Sequence, residues 1–119
     1  MSKFQKGGNS VLNNIPITVR LPIELNDRLT VNAKALGVTK TNLIRMAIHE
    51  LPKSDEIALD FSQNFTDKKY RLVLNVNALT YDILENACKK YEQSMNAVVI
   101  AIGYFALDIS AKLLQSITN

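Results

Sequence analysis

Pro16-Ile17-Thr18-Val19-Arg20-Leu21-Pro22 alternates apolar and polar side chains until a second proline stops the pattern. Successive side chains of a strand point to opposite faces, so the spacing predicts a strand with Ile17, Val19 and Leu21 in a core and Thr18 and Arg20 on the other side. A lone strand this short needs a partner. Adding 55 to each number lays Arg71-Leu72-Val73-Leu74-Asn75-Val76-Asn77 on it without a gap, with Leu72, Leu74 and Val76 on the buried parity. Thr18 and Arg20 then match Val73 and Asn75. The same offset pairs Leu29 with Leu84, Ala33 with Cys88, Leu36 with Tyr91, Thr39 with Ser94, Leu43 with Val98, Ile44 with Val99 and Ala47 with Ile102. One register that holds across strand, helix, turn and helix reads as an internal duplication of a strand-helix-helix unit.

Each unit carries its own start and stop signals. Pro22 suits a first helical turn, so a helix is expected from about Pro22, with Leu25, Leu29, Ala33 and Leu36 at helical spacing and Gly37 closing it. Thr39 is a good cap for a second helix, which places Leu43, Ile44, Ala47, Ile48 and Leu51 on one face and ends at Pro52. In the second unit Asn77 takes the capping role, Leu84, Cys88 and Tyr91 lie inward, and Glu92-Gln93 stands where Gly37-Val38 makes the first turn. A glycine's freedom is missing there, which leaves the geometry of that turn open. Ser94 caps the last helix, Met95 to about Ile117, with Val98, Val99, Ile102, Phe105, Ala106, Ile109 and Leu113 on one face and Ile100, Tyr104, Leu107 and Leu114 elsewhere. A helix apolar on most sides belongs in a shared core, or offers a further surface for self-association.

The divisions follow: an arm over residues 1–14, unit one over 15–53, a polar and acidic linker with Phe61 and Phe65 over 54–69, and unit two over 70–119. The linker is long enough to let the second strand reach back to the first. Two units of this size are expected to fold together, because neither buries enough surface alone. The single cysteine, Cys88, excludes an internal disulfide and argues against a zinc site. No metal or cofactor is expected. Polar residues stand where a signal peptide needs an apolar core, so no export is expected, and the uninterrupted apolar run Ala97 to Leu107 is shorter than a bilayer span.

The net charge of +3 is unevenly distributed. Residues 1–53 carry +5, residues 54–69 carry −2 and residues 70–119 are neutral. The basic charge therefore sits on the first unit, where it favours a polyanion. Lys40, Thr41 and Asn42 surround the open donors of the helix that Thr39 caps, which makes a phosphate the natural ligand there; a plain capped helix is the alternative. Lys3 and Lys6 on the arm either settle on the same polyanion or do nothing.

Strand, helix, capped turn and helix, with Leu21-Pro22 leading into the first helix, resemble the ribbon-helix-helix DNA-binding family of the Arc/MetJ type. The resemblance covers residues 16–52 well and 70 to about 115 less closely, and the tandem form is similar to the single-chain arrangement of the conjugation protein TraY. It implies a mainly α fold with a two-stranded antiparallel β-ribbon, a pseudo-dimer within one chain. In this family the ribbon enters the major groove of double-stranded DNA, with four helices beneath it.

Carried over by position, the resemblance makes Pro16, Thr18, Arg20, Arg71, Val73 and Asn75 the base-facing residues. Arginine makes two hydrogen bonds to guanine, asparagine does the same with adenine, and Thr18 and Val73 suit a thymine methyl, whereas Pro16 has no group for readout. Thr39, Lys40 and Thr41, with Ser94 and Asn96, match the family's phosphate-holding helix starts. Two uses of bound DNA stand open: a transcriptional repressor of bacterial, plasmid or phage type, and an accessory factor that prepares a transfer origin for a relaxase. Both imply a cytoplasmic protein associated with nucleoid or plasmid, with no membrane partner.

Two further readings compete. An enzyme is disfavoured, because His49 is the only histidine and is expected near a helix end, Cys88 falls on a core face, Asp82 and Glu85 suit a solvated helix start, and Gly7-Gly8 lacks the strand that a phosphate loop needs. A module whose second unit binds protein instead of DNA is favoured by that unit's neutral charge, by Val73 and by the long apolar helix. Whether the strands pair within one chain or between two is also left open.

Overall fold

A computed structural model describes residues 14–62 and 69–118. The arm with Lys3 and Lys6 lies outside the described residues, as does Phe65. The elements run β1 (Ile15–Pro22), α1 (Ile23–Leu36), α2 (Lys40–Glu50), a single 3-10 turn (Leu51–Lys53), β2 (Lys69–Val76), α3 (Ala78–Tyr91) and α4 (Met95–Thr118). The fold is mainly helical, four α-helices against one two-stranded antiparallel sheet.

β1 and β2 pair with each other within the chain, Ile15 opposite Val76, Thr18 opposite Val73 and Arg20 opposite Arg71. Alternation sets the faces as expected: Ile17, Val19, Leu21, Leu72, Leu74 and Val76 are buried, and the polar parity is exposed. Pro22 departs from expectation. It is the last strand residue, paired with Lys69, and α1 starts one residue later. Its φ of −55° suits strand and helix alike, and ψ of 140° keeps it extended, so it acts as the cap position instead of the first helical residue.

The three predicted side-chain caps form. Thr39 Oγ1 accepts from the Asn42 amide at 3.1 Å, Asn77 Oδ1 from the Thr80 amide at 2.8 Å, and Ser94 Oγ from the Ala97 amide at 3.1 Å. The two turns also close alike. Gly37 has φ 76° and the Val38 amide returns to the Ala33 carbonyl; Glu92 has φ 53° and the Gln93 amide returns to the Cys88 carbonyl. The missing glycine leaves the left-handed turn in place at a cost of about 1–2 kcal/mol for the glutamate.

The core lies beneath the ribbon, where Leu25 and Leu29 of α1, Leu43, Ile44 and Ile48 of α2, Leu84 of α3 and Val98 and Ile102 of α4 are fully buried. α4 runs through its centre, touching β1 and all three other helices. It closes on α1 at Gly103, where a Cβ would stand 2.9 Å from Leu25 Cδ2. Further along, Asn32 of α1 donates to the Ser110 hydroxyl at 2.8 Å, and that hydroxyl, fully buried, donates to the Leu107 carbonyl.

α4 corrects one expectation. Asp108 interrupts the apolar run but not the helix, so Met95–Ile117 is long and apolar enough to cross a membrane by length and composition. Half of its most apolar window is buried in the fold, which makes it a core helix here. Its end leaves that core: Leu113 and Ile117 are exposed. The start of the linker is also packed. Leu59 is buried, the Phe61 ring stands 5.1 Å from that of Tyr91, and the Tyr91 hydroxyl donates to the Ile57 carbonyl at 3.4 Å.

Candidate nucleic-acid interface

The outward parity of the ribbon places Pro16, Thr18 and Arg20 of β1 beside Arg71, Val73 and Asn75 of β2, all exposed. Thr18 faces Val73 at the centre, Pro16 faces Asn75, and Arg20 faces Arg71. Like charges directly opposite each other on a sheet destabilise it. Neither arginine has a carboxylate within ion-pair distance among the described residues. The ribbon therefore presents, among the described residues, two guanidinium groups without an acidic partner and an amide on one exposed face.

Both open edges of this ribbon are held by side chains from helices. In the first turn of α4, Asn96 accepts from the Arg20 amide at 2.7 Å and donates to the Arg20 carbonyl at 3.3 Å. On the opposite edge, Arg45 of α2 donates from Nε to the Asn75 carbonyl at 2.9 Å and from Nη1 to Asn42 Oδ1 at 2.5 Å. Arg20 and Asn75 are 55 positions apart, so equivalent strand residues are gripped by different chemistry. The outward-pointing amide of Arg20 also explains Pro16: four residues earlier on the same strand edge, its missing donor removes no ladder bond.

Two of the residues assigned to phosphate have other partners. Asn96 uses its amide on the Arg20 backbone. Lys40 is half-buried, donates to Asn26 Oδ1 at 2.6 Å and lies 4.2 Å from the Tyr70 ring centre, a cation–π contact at the end of the ribbon. Its charge was visible in the sequence, but the aromatic partner thirty residues later was not. Thr39 and Ser94 are exposed caps, and the Thr39 and Thr41 hydroxyls lie 3.2 Å apart. Lys3 and Lys6 fall outside the described residues.

His49 does more than sit at a helix end. Its Nε2 lies 2.7 Å from the Thr80 hydroxyl, and that hydroxyl donates to Asn77 Oδ1 at 2.8 Å. The hydroxyl has one proton, so the imidazole is the donor to it. The ring thereby ties the last turn of α2 to the cap of α3. Asn42, Arg45, His49, Asn75, Asn77 and Thr80 line one open cleft beside the β2 edge, with no carboxylate in its wall among the described residues. Sequence reading named Asn42 beside a phosphate but missed Arg45, which takes Asn42 as its partner and whose only signal was a charge on the polar side of α2. Cys88 is half-buried, and burial, reinforced by Glu85, pushes its thiol pKa up, which suits packing more than reaction. Compared with known proteins, the chain matches no family model, no curated protein and no solved structure.

Proposed function

We propose that this chain is a sequence-specific double-stranded DNA-binding protein, a ribbon-helix-helix pseudo-dimer in one chain, that lays its ribbon in the major groove. The observation that carries the reading is the outward face: Arg20 and Arg71 opposed across the strands with no acidic partner among the described residues, and Asn75 beside them. A protein surface gains nothing from that pair unless an anion meets it. The register adds support, because Thr18 pairs with Val73, its own counterpart 55 residues on, as a two-fold axis through the ribbon centre requires.

Arg20 and Arg71 then read guanine, Asn75 reads adenine, and Thr18 and Val73 meet thymine methyls. The different strands read a site without a palindrome. Thr39, Thr41 and Ser94 at the helix starts face the DNA backbone. Occupying an operator as a repressor is the use this site serves most directly; preparing a transfer origin beside a relaxase is the other. No catalytic step is assigned to the chain.

Selection of bound sequences from random duplexes, with Arg20→Ala and Asn75→Ala beside the parent, tests the proposal. A defined motif that relaxes at different positions in the two variants is the expected result. No enrichment by the folded parent overturns it. The second reading, a protein-binding second unit, has Val73 and Leu79 exposed in its favour. It requires Arg71→Ala and Asn75→Ala to leave DNA affinity unchanged while Arg20→Ala lowers it.

A further inference from the structure

The two flanks of the ribbon are chemically unlike. Beside β2, the cleft that holds Arg45 is open and has no acidic residue among the described residues of its wall. Beside β1, the recess at the start of α4 is lined by Ala97, Ile100 and Ala101, 55 positions after Asn42, Arg45 and Met46, and the linker contributes Asp60 and Phe61 to it. The first flank offers a cation; the second offers apolar side chains and a carboxylate. Lys40, the charge expected to serve the first flank, is turned onto Asn26 and Tyr70.

Arg45 is held for directional binding. Its Nε and Nη1 are spent on the Asn75 carbonyl and Asn42, which fixes the plane of the guanidinium and leaves Nη2 without a partner among the described residues. A guanidinium fixed in this way offers Nη2 to an oxyanion without losing further rotamer freedom. Building on the DNA-binding reading, we infer that Arg45 clamps a backbone phosphate on the β2 flank only, and couples that contact to base reading through its bond to the Asn75 carbonyl. The complex is thus anchored by charge on one DNA strand, while the other strand passes a flank without a cation among its described lining residues.

The experiment measures affinity against salt for the selected duplex, with Arg45→Met and Arg45→Lys beside the parent, and repeats it with duplexes carrying neutral methylphosphonate linkages on one strand at a time. Thermal unfolding of the free proteins accompanies each variant. Arg45→Met is expected to bind roughly tenfold more weakly and to lower the salt slope by about one. Arg45→Lys keeps the slope, because the charge stays, but relaxes the position read by Asn75, because lysine has no fork to hold two partners.

Methylphosphonates on the strand beside β2 are expected to weaken the parent more than they weaken Arg45→Met; those on the other strand weaken both proteins equally and by less. Equal losses on both strands, or a parental salt slope in Arg45→Met, overturn the inference while leaving the DNA-binding reading intact. Failure of the parent to bind any duplex overturns both. The methylphosphonate arm uses the parent protein, so it decides the matter even if a variant does not fold. Inorganic phosphate at constant ionic strength, without DNA, separates the two sources of the anion: a saturable shift of the Arg45 Nε–H resonance would assign the cleft to a free anion and overturn the DNA contact.

Discussion

Glu92 is the residue whose backbone is least comfortable: among the described residues it is the one non-glycine with positive φ. The turn needs that conformation to bring the Gln93 amide back to the Cys88 carbonyl. Glycine adopts it freely but is more flexible in the unfolded chain, so the two effects partly offset. Glu92→Gly is expected to stabilise the protein by about 0.5–1 kcal/mol. Urea unfolding checks this, and a destabilised variant would mean that the glutamate side chain makes a contribution larger than the strain. Asn77 carries the opposite expectation. It accepts from both the amide and the hydroxyl of Thr80, and the same hydroxyl receives His49. Asn77→Ala is expected to cost about 1–2 kcal/mol, toward the upper end for a cap because the loss spreads to a buried threonine. Asn77→Asp should recover most of it.

Among the elements, β1 depends on α4 as much as on β2. The Asn96 amide satisfies both backbone groups of Arg20, and without it that stretch of strand edge faces solvent. Asn96→Ala is expected to cost about 1–2 kcal/mol and, in the same selection of bound duplexes, to blur the position read by Arg20. Unchanged selectivity would show that the strand keeps its course without the helix. The linker belongs with these elements, since Phe61 stacks at a tilt on Tyr91 and Leu59 is buried. Phe61→Ala is expected to speed proteolysis between residues 54 and 62 well before global unfolding, measured by limited digestion under native conditions. The caps and most inward positions were legible at this scale, because each depends on residues within one turn or one pleat; the strand role of Pro22 and the exposure of Leu113 were not. The turn at Glu92 was not, because packing on both sides of it overrides the residue's own preference.

At the scale of the whole molecule, the two halves share one core. α4 lies against α1 and α2 of the first half as well as α3, and the strands of the two halves make the single sheet. Leu29→Ala and Leu84→Ala, 55 positions apart and both fully buried, are each expected to cost about 2–5 kcal/mol and to lower one common transition. Separate transitions in calorimetry would mean that the halves fold independently. The charge distribution acts at this scale too, since Arg45 on one flank of the ribbon and Ile100 in the recess on the other stand at equivalent positions of the two halves.

The amino-acid sequence by itself determined the order of elements, the inward and outward faces of both strands, the three caps and the helical faces that fill the core. Those features follow from periods of two and 3.6 residues and from capping groups that act within three positions. Tertiary structure alone decided that Arg20 stands opposite Arg71, that Asn96 and Arg45 grip the ribbon edges, and that Lys40 lies over Tyr70. Long polar side chains have several partners within reach at nearly equal free energy. Which one they take depends on segments that packing brings together across 30 to 76 positions of chain.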